Sequence, residues 1–176
     1  MSLAGSMRAV ICTALVAVLL AGCSSGVQGG QTPAQATEAA AAIPGVASAD
    51  VVSEDVSVSP FDYVREAQIR LSLESGWSVD DAPGLLRWAL TTGGSLNDEQ
   101  IDGSLALWLD SPEGHPDVDW QAAASAIGIA DGWTGAKSYA EHGFLLFWPD
   151  DIAAVVDQPW PADPPPVPQD AFAPAS

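Results

Sequence analysis

From Ala67 to Leu73 the chain alternates strictly: Ala67, Ile69, Leu71 and Leu73 are apolar, and Gln68, Arg70 and Ser72 between them are polar. A period of two marks a strand with one face in a core, so a strand is expected over Tyr63–Leu73, ended by Gly76. Ile101, Gly103, Leu105, Leu107 and Leu109 repeat the pattern, with Ala106 and Trp108 on the opposite face of a further strand. Val46–Val58 carries Val51, Val52, Val56 and Val58, a strand interrupted by Glu54-Asp55. Helical spacing replaces alternation at Ala82, Leu85, Leu86, Ala89 and Leu90. Ser78 stands where that helix needs a cap, Asp80 and Asp81 suit its positive end, and Gly93-Gly94 closes it.

Three weaker patterns flank these. Thr32-Pro33-Ala34-Gln35 has the form of a capping box with proline at the first helical position, opening an alanine-rich helix to about Ala42 that Pro44-Gly45 stops. Asp117 is placed to cap a helix through Ile127 that buries Val118, Ala122 and Ala126. Ile129–Ala140 and Gly143–Trp148 read as a strand pair around Glu141-His142-Gly143, the last strand, GFLLFW, apolar enough to be buried on both faces. The order α-β-β-α-β-α-β-β over residues 32–157 predicts an α+β domain, an antiparallel sheet with helices on one face. Residues 39–50, AAAAIPGVASAD, and 122–132, AAASAIGIADG, echo one another as alanine helix, glycine stop and strand. This first part resembles the ferredoxin-like arrangement of small envelope and metal-carrier domains, where a helix ends in Gly-Val before a strand. The resemblance is one of pattern. A metal carrier would need a cysteine pair before that helix, which this chain lacks, so that function is not carried over.

Outside the domain the composition changes. Arg8 precedes an apolar run, Ala9–Leu20, of twelve residues, the length of a signal-peptide core and too short to span a bilayer. It ends in Leu20-Ala21-Gly22-Cys23, followed by Ser24-Ser25-Gly26. Residues 1–22 with Cys23 resemble the bacterial lipoprotein signal, whose lipobox reads Leu-Ala-Gly-Cys. The resemblance implies that the Cys23 sulfur receives a diacylglyceryl group, that cleavage makes Cys23 the first mature residue, and that the membrane is reached through this lipid anchor on the extracytoplasmic face. An ordinary secretory signal with an incidental cysteine is the competing reading, and translation from Met1 or from Met7 would serve either. Residues 23–31, rich in Ser and Gly, form a tether. Residues 158–176 hold seven of the fourteen prolines and read as an extended or disordered tail. Pro161–Pro164 and Pro165–Pro168 match a PxxP spacing, a docking peptide or a plain tail, and Trp160 and Phe172 are its large aromatics.

Charge narrows the partners. Past the signal stand four basic side chains and 23 acidic ones, a net of −19. Nucleic acid binding needs clustered cations, and so does a polybasic membrane surface; both are disfavoured. With Cys12 lost and Cys23 lipidated, no thiol remains for a disulfide, a thiolate metal site or a nucleophile. Past the signal there is no GxSxG, no phosphate loop and no HExxH. The densest polar stretch, Asp110 to Asp119, offers Asp110, Glu113, Asp117 and Asp119 as calcium ligands around His115, or else a solvated loop. The neighbours Asp80-Asp81, Asp98-Glu99 and Asp150-Asp151 read as caps and turns rather than acid/base pairs. No cofactor is implied. Seven tryptophans are many for this length. Trp88 lies off its helix's main stripe and Trp108 opposite its strand's leucines; both are core, or else form an aromatic shelf for a sugar ring or a partner's apolar anchor. The expectation is a non-enzymatic, lipid-anchored binding or assembly module of the cell envelope that engages another envelope protein. The alternatives are a cell-wall glycan hydrolase with a carboxylate pair and a calcium-dependent ligand binder.

Overall fold

The computed structural model describes residues 29–130 and 133–175; the expected export signal and Cys23 lie outside them. Thr32 opens α1 (Pro33–Ala41) with a capping box: its hydroxyl accepts from the Gln35 N–H, and the Gln35 side chain accepts from the Thr32 N–H. The chain then turns at Gly45, with φ +84°, against the Trp77 ring, where any side chain would collide. Strands β1 (Val46–Ser59) and β2 (Asp62–Leu73) form a long antiparallel hairpin with Val51 opposite Ile69. Ala67, Ile69, Leu71 and Leu73 are buried, as alternation requires.

Ser78 does not cap a helix. It lies in the short strand β3 (Trp77–Val79), and Asp81 caps α2 (Ala82–Ser95) by accepting from the Gly84 N–H at 2.9 Å. From α2 the chain returns to β4 (Leu105–Asp110), which lies parallel to β2 with Ile69 beside Leu107. The four-stranded sheet, in order β1-β2-β4-β5, is therefore mixed, which corrects the antiparallel expectation. Crossing over through a helix delivers both strands pointing the same way, which a tight hairpin cannot do. Asp119, rather than Asp117, caps α3 (Trp120–Ala126), accepting from Ala122.

The expected strand at 129–140 is also corrected: α4 (Gly135–His142) is a helix, ended by Gly143 in the left-handed region at φ +79°. Trp133 turns inward instead of extending the sheet. Its ring stacks on Phe147 at 4.9 Å and its indole N–H donates to the Leu146 carbonyl at 3.0 Å. Strand β5 (Phe144–Phe147) pairs antiparallel with β4, and α5 (Pro149–Val155) follows. Leu145 and Phe147 are fully buried but Phe144 and Leu146 are not, so β5 is covered on one face only. The α+β class stands, whereas the element order α-β-β-β-α-β-α-α-β-α-β is not the ferredoxin-like order expected.

One core joins these elements, with Leu71, Leu105, Leu107, Leu109 and Leu145 of the sheet and Leu85, Leu86 and Leu90 of α2 fully buried. The proline-rich tail belongs to it, contrary to the disordered expectation. Trp160 donates its indole N–H to the Leu96 carbonyl at 2.9 Å, and the Ala162 N–H reaches the Gly94 carbonyl at 3.0 Å. Ala171 and Phe172 are buried, and β6 (Phe172–Pro174) pairs with β3 in a second, two-stranded sheet. Apolar anchors at both ends of the tail outweigh the reluctance of its prolines to join a fold. Among the described residues no helix is long and apolar enough to cross a membrane.

Candidate functional site

The sheet's two faces differ. Odd-numbered positions of β2, β4 and β5 point into the core; even-numbered ones point away. Register carries the second set across the strands: Val52, Gln68, Ala106 and Leu146 form one row, and Asp50, Arg70, Trp108 and Phe144 the next. Trp148, half exposed at 50 %, continues the aromatic edge just beyond β5. Together Glu66, Gln68, Ala106, Trp108, Phe144, Leu146 and Trp148 line an open groove of about 310 Å³.

Its centre is built from contacts among large side chains. The Trp108 and Phe144 rings lie 4.5 Å apart, tilted by 36°. The Arg70 guanidinium sits 4.9 Å above the Trp108 ring, a cation–π distance, and is turned by its hydrogen bond to Gln68 at 2.9 Å. His142 stacks on the outer side of Phe144 at 5.9 Å. The Trp108 indole N–H is buried without an acceptor. A shelf of this kind offers flat apolar area with a positive group over it, and polar atoms of Gln68 and Glu66 at its margin.

The two tryptophans singled out in the sequence thus part company. Trp108 is on the shelf. Trp88 is 4 % exposed, at a separate groove of about 350 Å³ between α2 and the tail prolines 164–166 and 168. What separates them is the C-terminal tail, whose docking no local pattern in α2 announces.

The calcium candidates are not gathered. Glu113 accepts hydrogen bonds from Ser75 and Ser111 hydroxyls, both at 2.8 Å, and from the Gly76 N–H at 3.0 Å. The hydrogen bonds from Ser111, Ser75 and Gly76 hold its carboxyl at about 2, below the usual carboxylate value. Asp119 is committed to the α3 cap. Among the described residues no three His, Cys, Asp or Glu side chains come together as a metal-holding group. His115 packs edge-on against Tyr139 at 5.5 Å. Burial, with the nearby Asp110 charge, raises the Tyr139 hydroxyl to about 12, so it stays protonated.

The acid pairs have local work. Asp81 caps α2, Asp151 accepts from the Trp148 N–H at 2.9 Å, and Asp98 accepts from Arg65 and Ser53. On the shelf, Glu66 lines the groove and Glu54 lies across from it on β1. Both acids are on one side, and the far wall is Phe144, Leu146 and Trp148, so they do not flank a space from opposite sides as a glycosidase pair does.

Sequence reasoning missed the tip of the β1–β2 hairpin. Phe61 is 97 % exposed there, with Val58 and Tyr63 beside it also exposed. Ser59-Pro60-Phe61-Asp62 was the available signal, a turn with proline at its second position between two strands. Compared with family models, with characterised proteins and with solved structures, the chain matches none of them.

Proposed function

We propose that this protein is a lipid-anchored component of the bacterial cell envelope, held by Cys23 on the extracytoplasmic face, and that it acts as a non-enzymatic binding module through its open sheet face. The observation that supports the binding role is the Trp108–Phe144–Leu146–Trp148 shelf, four large apolar side chains that line one open groove, three of them half-buried and Trp148 exposed. The partner that suits it is another envelope protein presenting an apolar side chain within a basic rim. The apolar chain would lie on Trp108 and Phe144; the rim would meet Asp50, Glu54 and Glu66 on the same face and the net charge of −19 that the residues past the signal carry. Arg70 stays over Trp108 and selects against a cation at the shelf's centre.

The test is crosslinking of the lipidated protein in its native envelope beside Trp108→Ala. A central aromatic anchor is worth about 2 kcal/mol or more on truncation, roughly a thirtyfold loss in affinity. One dominant partner lost in the variant, with the fold intact by amide spectra, supports the reading. Equal recovery of that partner by both proteins would move binding away from this face.

A further inference from the structure

The place where the chain enters the domain and the place where its most exposed aromatic stands are at the same end. Gln31 is clamped to the C-terminus of α2: its N–H donates to the Ser95 carbonyl at 2.8 Å, and the Asn97 N–H donates to its carbonyl at 3.0 Å. One residue further on, Asp98 accepts from the Arg65 guanidinium and from the Ser53 hydroxyl, one on each arm of the β1–β2 hairpin. Asp102 accepts from the Arg65 N–H at 2.6 Å, and Gly103 lies against Val64 and Glu66. Arg65, also paired with Asp55 at 3.1 Å, thereby buttresses the hairpin's base and leaves its tip free.

Beyond Val64 the arms run on past the start of β4, which first pairs with β2 at Ala67. Three steps from Val64 to Phe61 at about 3.3 Å each project the tip roughly 10 Å past the buttress. On the other side of the clamp, the six links from Gly29 back to Cys23 span at most roughly 20 Å. A domain tethered that closely has little room to stand off from its membrane, and the tip points out from the tethered end. Its chemistry is also unlike the rest of the chain: residues 56–64, VSVSPFDYV, hold a single acid, Asp62, in a protein of net −19 past its signal.

We infer that the hairpin tip is a second membrane contact: with Cys23 in the bilayer, Phe61, flanked by Val58 and Tyr63, enters the interface of the same membrane. This rests on the lipid-anchored reading. The tip adds little affinity, since one aromatic with an acid beside it does not hold a protein on lipid by itself. Its effect is orientation. Two contacts at one end restrict how the domain leans, so the shelf faces sideways along the membrane and remains accessible.

The experiment uses Phe61→Cys, labelled with an environment-sensitive fluorophore, in the lipidated protein on phosphatidylcholine–phosphatidylglycerol vesicles. Cys23 is alkylated and so takes no label. Pro112→Cys, on an exposed loop after β4 at the opposite end, is the control. Expected is a blue shift and quenching by spin-labelled lipid at position 61 and neither at 112. Both labels staying water-like on protein that floats with the vesicles would overturn the tip contact and leave the anchor standing. Processed protein that does not float, and is matched in mass and partition by Cys23→Ser, would overturn the anchor and the tip contact together. Shielding of position 61 in native envelopes but not on vesicles would assign the tip to a protein partner and overturn the lipid proposal.

Discussion

Phe172→Ala asks whether the C-terminal tail is part of the domain. The Phe172 ring is 3 % exposed, and the residue pairs with Val79 across β6–β3. Truncating a buried Phe to Ala costs about 3–5 kcal/mol in a closed core. Set against a total stability of about 5–15 kcal/mol, that is a large fraction. The cost is capped, however, by the free energy that docks residues 158–175, because the chain can release the tail and keep the larger sheet. Urea unfolding of the protein measures the global term: with an m-value of about 2 kcal/mol/M, the midpoint should fall by roughly 1.5–2.5 M, less if the cap intervenes. Amide exchange measures the cap itself. The Asp80 and Ala162 N–H groups donate to Ala171 and Gly94, so both should be protected in the wild type and lose protection in the variant. Phe61→Ala, at a residue 97 % exposed, should stay within about 0.5 kcal/mol of wild type and serves as the control. A Phe172→Ala midpoint equal to that of the control, together with unprotected Asp80 and Ala162 in the wild type, would refute the docked tail.

Three further substitutions probe local geometry. Arg65→Met removes the partner of Asp98 and Asp55 from a side chain only 15 % exposed; chemical unfolding should report a loss of about 1–3 kcal/mol. The Asp98 carboxyl, which burial raises but the hydrogen bonds from Ser53 and Arg65 bring net below its ordinary value, should titrate higher in that variant by NMR. Glu113, held at about 2 against an ordinary 4.5, contributes stability that is complete above its unfolded value and lost as pH falls through about 2. The advantage of wild type over Glu113→Gln should therefore shrink between those two values in thermal melts at stepped pH, and an advantage constant across that window would contradict the hydrogen-bond assignment. Gly143→Ala places a side chain at φ +79° and against the His115 ring, so its melting temperature should drop by an amount corresponding to about 1 kcal/mol or more.

Local signals were legible in the sequence and long-range ones were not. The alternation at 67–73 and the Thr32–Gln35 capping box need only a few neighbouring residues, and both appear where the pattern puts them. Ser78 reads as a cap because Ser before two acids looks like one; it is in a strand because residues 172–174, nearly a hundred positions on, pair with it. The parallel pairing of β2 and β4 likewise depends on which edge the crossover reaches, and alternation does not record direction. Residues 129–140 misled for another reason: Ile, Trp and Tyr favour strands, yet Trp133 is spent on stacking against Phe147. For the site, the sequence placed Trp108 opposite the leucines of its strand, which is where the shelf lies. Whether the face was covered depended on the position of every helix, so Trp88 and Trp108 looked alike until the tail was placed.

The pairing of β3 with β6 also sets a schedule. A chain is made from its N-terminus, so β3 leaves the ribosome more than ninety residues ahead of the strand that completes the smaller sheet. Until residue 172 is available, Trp77-Ser78-Val79 has no partner and the tail side of Trp88 is uncovered. The larger sheet can form in that interval, so the domain is assembled in two stages, with the smaller sheet and the cover over Trp88 added to a core that already stands.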